Sequence, residues 1–367
     1  MRRVKKARFH FMIRFLLIAL TSLLTSCSEH NTATEAATPV ATAPVVYAKD
    51  NFKTGEVIPV VPLHIDAGQT FALYLPKGYT DTSHLPVIIF FDPHGDGTVP
   101  LNLYHELADK YHYILIGSNT SRNGMPLEQT QAVAYNLFNE AKARLSANPP
   151  AITYCGFSGG AKVALLSAAS NPAIAKVIYC GAKVDIDPNH PLSLLGFAGQ
   201  RDMNYADLVI FEQELHRLPV KHYLVEWKGK HEFPTADVFN DAFIFLNTGT
   251  VDSYDKKRVS ITDEQLKGEQ AKKNEYLKAF QNEDLAWWKK EIATLNAKKK
   301  ADMTDERLLG FISLACYSIG GGQLAQNNLD VAEKILSIYK LADPENKDCD
   351  SMITVLNQKK GMMMGPK

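Results

Sequence analysis

The sequence predicts an α/β protein: a doubly wound, mostly parallel sheet over residues 57–249, followed by a small all-helical domain over 250–367. Three observations lead there. Short apolar runs alternate with helical periods along the first region. One of them, Pro86-Val87-Ile88-Ile89-Phe90-Phe91, is apolar without alternation, as suits a strand covered on both faces. After Asn247-Thr248-Gly249-Thr250 the texture changes to charged, helix-forming sequence with capping signals.

Taken in order, residues 57–61 and 70–75 read as two antiparallel strands, the second leaving through the turn Pro76-Lys77-Gly78-Tyr79. Strand 86–91, helix 101–111, strand 113–117, helix 126–145 and strand 151–154 follow, then a small-residue helix ending at Ser170. Strands 176–179 and 194–198 come next, with too few residues between Cys180 and Leu194 for a full crossover helix, so a reduced connection is expected. Helix 206–217, strand 221–227 and helix 235–246 complete the sheet region, whose site should lie beyond the C-terminal ends of the strands.

In the helical region, Thr262-Asp263-Glu264-Gln265 has capping-box spacing and Thr304-Asp305-Glu306-Arg307 a weaker form of it. Leu285, Trp288, Ile292 and Leu295 keep a helical period, and about five helices fit the remaining length. The run 331–346 resembles the second helix and exit turn of a tetratricopeptide repeat, a plain helical bundle being the alternative. Trp287, Trp288, Phe311 and Tyr339 are expected to bury mainly within this domain, so a chain ending at Gly249 should stay folded. The domain would shape access to the site or hold a protein partner.

At the N-terminus, Arg2, Arg3, Lys5, Lys6, Arg8 and Arg14 precede an apolar stretch over 15–24 that is too short to span a bilayer comfortably. It reads as a secretory signal. It ends in Leu24-Thr25-Ser26-Cys27, which resembles the lipobox of bacterial lipoproteins, where the cysteine is acylated and becomes the mature N-terminus. Residues 1–26 are then a lipoprotein signal peptide and 27–56 a disordered tether, rich in Thr, Ala, Pro and Glu, that lets the protein stand off a bacterial outer membrane or cell surface. Loss of the signal leaves 34 basic against 40 acidic residues, with no basic footprint for nucleic acid. Cys155, Cys180, Cys316 and Cys349 are too scattered for a disulfide scaffold, and the first two are expected to pack as small apolar residues.

The chemistry centres on Gly156-Phe157-Ser158-Gly159-Gly160, between a strand and a helix. A serine on such a turn has backbone angles that suit few residues, and glycines at 156 and 160 remove Cβ atoms that would collide. Its position at a helix N-terminus favours an oxyanion formed on a substrate that the hydroxyl attacks. Attack also needs a base and an acid to orient it. Leu195-Gly196-Phe197-Ala198-Gly199-Gln200-Arg201-Asp202 runs from a strand into a glycine loop and an Asp, and Trp227-Lys228-Gly229-Lys230-His231 runs from the next strand into a His.

The order Ser, Asp, His, the elbow and the sheet pattern over 57–247 resemble the α/β-hydrolases. The resemblance implies Ser158 as nucleophile, Asp202 as acid and His231 as base, with Asp185 as the rival for the acid. It also implies that the loop Asp92-Pro93-His94-Gly95-Asp96-Gly97 supplies an oxyanion donor, through the N–H of Asp96 or Gly95, beside that of Gly159. The loop departs from the triple glycine of lipases, and His94 reads as a loop-structuring residue. No His, Asp or Glu set has metal-ligand spacing and no phosphate loop occurs, so neither metal nor cofactor is implied. The leading expectation is an exported, lipid-anchored serine hydrolase acting on small-molecule or polymer-linked esters. A peptidase of the prolyl-oligopeptidase type, and a non-catalytic binding protein on a hydrolase scaffold, are the alternatives.

Overall fold

The computed structural model describes residues 50–145, 147, 149–185, 192–251, 261–299 and 303–364. The signal, Cys27, most of the tether and residues 186–191 of the connection after Cys180 lie outside them. Eight strands form one sheet: β1 (Val57–Pro62), β2 (Thr70–Tyr74), β3 (Val87–Phe91), β4 (Ile114–Ser118), β5 (Ile152–Phe157), β6 (Lys176–Cys180), β7 (Ser193–Gly199) and β8 (Lys221–Trp227). Their order is β1-β2-β4-β3-β5-β6-β7-β8. Only β2 runs antiparallel to its neighbours, β1 and β4; every other pair is parallel.

Helices cover both faces, as the unalternating strands require. Val87, Ile89 and Phe91 of β3 enter a core with Leu137 of α2 (Leu127–Arg144), Leu165 of α3 (Gly159–Ala169) and Leu208 of α4 (Tyr205–Leu215). Ile88 and Phe90 point the other way, to Leu101 and Tyr104 of α1 (Thr98–Tyr111) and Phe239 and Phe243 of α5 (Ala236–Thr248). Full burial of each such side chain is worth about 1.5–3 kcal/mol before entropy, so the two-faced core is what specifies the sheet. Strand β5 continues past Tyr154 because Gly156 and Phe157 still pair with Tyr179 and Cys180 of β6. That extension carries the next residue, Ser158, to the sheet's C-terminal edge.

Among the described residues five helices follow: α6 (Asp263–Asn282), α7 (Leu285–Lys298), α8 (Met303–Ala325), α9 (Leu329–Ala342) and α10 (Lys347–Met364). The capping box opens α6 with both halves made: the Gln265 N–H donates to Thr262 Oγ1 at 3.2 Å and the Thr262 N–H to Gln265 Oε1 at 2.9 Å. The weaker box at Thr304 is not a cap. Thr304 already lies inside α8, and its hydroxyl accepts from Arg307 Nη2 instead. Trp288, stacked on Phe280 with centroids 4.6 Å apart, centres a separate core with Ile312, Ile335 and Tyr339. Trp287 and Phe311 pack against it half-buried. By length and composition α8 could cross a membrane; here its apolar residues Leu308, Leu309, Ile312, Cys316 and Leu324 lie in that core.

Candidate active site

Ser158 sits between β5 and α3 with φ 53° and ψ −120°, a left-handed conformation that a side chain rarely adopts. Such an outlier stores on the order of 1–3 kcal/mol and persists only when its surroundings hold it. Here the Ser158 N–H donates to Cys180 O at 2.8 Å. A Cβ on Gly156 would stand 2.1 Å from Gly160 O, and one on Gly160 would stand 1.9 Å from Phe91 O. Both glycines are therefore demanded by close approach of backbone. Cys155, a second nucleophilic side chain in the motif, is fully buried, and burial pushes its thiol well above the usual range. The half-buried serine is the accessible nucleophilic side chain of the two.

The structure brings the three sequence-predicted residues together. His231 Nε2 lies 2.8 Å from Ser158 Oγ, and His231 Nδ1 lies 2.9 Å from both oxygens of Asp202. A carboxylate only accepts, so Nδ1 carries the hydrogen and Nε2 is left to accept from the serine hydroxyl. Asp202 is 1% exposed and also accepts from the Asn204 N–H at 2.8 Å. Asp185 is elsewhere, exposed and paired with Lys183. The backbone ties the acid loop to the base loop: the N–H groups of Gln200 and Arg201 donate to Trp227 O and Gly229 O at 2.8 and 2.9 Å.

The two N–H groups expected as oxyanion donors from the loop after β3 have partners within that loop. The Gly95 N–H donates to Asp92 O at 3.2 Å and the Asp96 N–H to Asp92 Oδ1 at 3.3 Å, so both are engaged in closing the loop's own turn. The His94 N–H shares Asp92 Oδ1 with that of Asp96, at 2.8 Å. The residue that reaches the elbow is Asn123, which sequence reasoning missed. Its own N–H is held by Pro93 O at 2.8 Å, and its carboxamide lies so close to Gly159 that a Cβ there would meet it at 1.8 Å. Gly159, at the first position of α3, keeps its N–H at the helix N-terminus.

Gly181 was missed as well. It has φ +68°, and a Cβ on it would stand 2.9 Å from the Phe157 ring, 3.0 Å from Asp202 Oδ2 and 3.3 Å from His231 Cε1. Its carbonyl accepts from Asn204 Nδ2 at 2.7 Å, which ties the end of β6 to the acid loop. The Phe157 ring covers the imidazole of His231 at a centroid distance of 4.7 Å. A glycine that follows a strand carries no sequence signal for this role.

The helical region supports the same loops. Arg307 of α8 donates to Gln200 O at 2.8 Å and makes two bonds to Glu269 Oε2 of α6, at 2.9 and 2.7 Å. Lys273 donates to Met203 O at 2.7 Å and to Asp207 Oδ2 at 3.1 Å. The side chains of Arg307, Lys273 and Glu269 are each at most 4% exposed. Glu306 lies 3.5 Å from Arg201 and 3.3 Å from Lys230, the neighbours of Asp202 and His231. Thus the acid is bracketed on both sides in sequence by residues that α6 and α8 hold.

The sequence shows no metal-ligand spacing, yet the fold gathers Glu212, His216 and His222 so that one ligand atom from each lies within 4.8 Å of the others. These residues occupy the other end of the sheet, at the start of β8 and the end of α4.

No family model and no curated protein matches the chain. Solved structures resemble it over about half its length. They include a hyperthermophilic esterase from the archaeon Pyrobaculum calidifontis at 10% identity, with 54% of this chain and 87% of that one covered and a TM-score of 0.45. An S-formylglutathione hydrolase from Staphylococcus aureus is 13% identical, with 48% and 92% covered and a TM-score of 0.42. An esterase from Rhizomucor miehei is 16% identical, with 57% and 87% covered and the same score. These are likenesses of fold, and what Ser158 can do follows from its own surroundings.

Proposed function

We propose that the chain is an exported, lipid-anchored serine hydrolase that cleaves carboxylic esters through an acyl-enzyme on Ser158. The observation that carries this is the unbroken line Ser158 Oγ, His231 Nε2, His231 Nδ1, Asp202, with its serine on a strained elbow at a helix N-terminus. His231 takes the proton as Oγ attacks the acyl carbon, and Asp202 stabilises the imidazolium that forms. Collapse of the tetrahedral intermediate returns that proton to the departing alkoxide; water then repeats the sequence on the acyl-enzyme. The Gly159 N–H supplies one oxyanion donor and the Asn123 carboxamide, whose ends interchange by a flip, is the candidate for the second. Ser158→Ala should lower kcat on p-nitrophenyl acetate by roughly 10⁴–10⁶ while the thermal transition is retained. An alanine variant working within tenfold of wild type excludes the assignment.

Anchoring rests on the lipobox-like Leu24-Thr25-Ser26-Cys27. Cys27→Ser should move the exported protein from the membrane fraction to the soluble one, and continued detergent-dependent extraction contradicts the anchor. The helical region, with its tetratricopeptide-like hairpin over 331–346, would present its outer face to a protein partner while its inner face holds the acid loop.

A further inference from the structure

We propose that Glu212, His216 and His222 form a binding site for a divalent transition-metal ion of the zinc type. His216, the C-cap of α4, stands one helical turn after Glu212 in helical backbone conformation, so both side chains leave the same face. That face packs on β8, whose second residue is His222. The Glu212 side chain is fully buried and that of His222 is 9% exposed. His222 Nδ1 lies 2.8 Å from Val220 O, and since a carbonyl only accepts, Nδ1 carries the hydrogen. Nε2 therefore presents its lone pair inward, to Glu212 Oε1 at 3.7 Å and His216 Nδ1 at 2.6 Å. A ring nitrogen oriented by a backbone carbonyl on its other side is the usual support for a metal-ligating histidine.

Two bare ring nitrogens at that separation repel, so a proton lies between His216 and His222 in the metal-free state. An ion would replace it. His216 would then carry its hydrogen on Nε2 and offer Nδ1, a change of tautomer that needs no other group to accept a proton. Two imidazoles and one carboxylate are a donor set that suits zinc, and ligands at 2.0–2.2 Å in tetrahedral geometry stand about 3.3 Å apart. To reach that spacing the histidine pair would open by about 0.7 Å, the Glu212–His222 contact would close slightly, and Glu212 and His216, whose ligand atoms lie within 4.8 Å, would adjust with them. His216 is exposed, which provides a way in and room for water as the fourth ligand.

The site lies at the start of β8, whereas His231 follows its end, a strand of seven residues away and so roughly 20 Å along it. The ion would clamp the end of α4 to β8 without touching the substrate. This inference does not depend on the hydrolase assignment. The test uses the untagged full chain in detergent, stripped with EDTA, dialysed and supplied with Zn²⁺. Expected are one zinc retained per chain by elemental analysis and a Tm rise of roughly 5–10 °C at a hundredfold excess over Kd. His216→Ala, at an exposed position that leaves the core intact, should weaken binding at least tenfold and remove the Tm rise. Its hydrolysis of p-nitrophenyl acetate should stay within twofold of wild type. Failure of the wild type to retain zinc, or wild-type zinc affinity in both His216→Ala and His222→Gln, overturns the proposal.

Discussion

The sheet region closes its two faces with apolar side chains that alternate along each strand, whereas the seam between it and the helical region is closed largely by buried charge. Both kinds of closure exclude water, and they fail differently. An apolar core loses stability in proportion to the volume removed. A buried ion pair adds little net stability, but removing one partner strands the other at a cost of about 3–5 kcal/mol. The seam is therefore a poor source of stability and a sensitive lever, and it acts on the loop that carries Asp202.

The largest effect on this contrast is expected from Arg307→Ala. It leaves Glu269 buried with only Lys273 beside it and releases Gln200 O, two residues from the acid. The variant should lose roughly 3 kcal/mol of stability. Its kcat on a small ester should fall roughly tenfold to a hundredfold through misplacement of Asp202, with KM changing far less. Chemical denaturation and steady-state kinetics measure the two losses. A variant destabilised by that amount but with unchanged kcat would mean that the seam holds the regions together without positioning the acid.

A smaller effect is expected from cutting the chain after Val251, which is buried in the sheet core. The cut removes Arg307, Glu269 and Lys273 together, so no buried charge is stranded; Asp207, Arg201 and Lys230 lose partners but are solvent-exposed, and Gln200 O and Met203 O gain water instead. Of the sheet cores, only the first loses a buried side chain, Leu266. The shortened protein should melt cooperatively and keep p-nitrophenyl acetate hydrolysis within about tenfold, a barrier change near 1.4 kcal/mol. An insoluble product, or one without a cooperative transition, would show that the two regions share a single folding unit.

The same contrast decides how much was legible in the sequence. Strands such as 86–91 announce themselves because burial on both faces forces a continuous apolar run, and the elbow does so because close backbone approach forces glycine at 156 and 160. Ser158, Asp202 and His231 could be grouped from the sequence because each lies within four residues of the end of a strand, and those strands end at one edge of the sheet. The seam was illegible: Glu269, Lys273 and Arg307 look like any solvated helical face until packing buries them. Chain order likewise cannot show that Asp92 engages the N–H groups of Gly95 and Asp96. Asn123 and Gly181 act through loop crossings that no local pattern marks. Glu212, His216 and His222 meet only because a helix ends beside the start of the following strand.

The assignment of Ser158 as an activated nucleophile is tested most directly by mass spectrometry of the folded protein after reaction with a fluorophosphonate. The geometry predicts one adduct per chain, on the peptide containing Ser158, formed by the wild type and lost in both Ser158→Ala and His231→Ala. Absence of an adduct on the folded wild type, or an adduct on another residue that persists in Ser158→Ala, would contradict it.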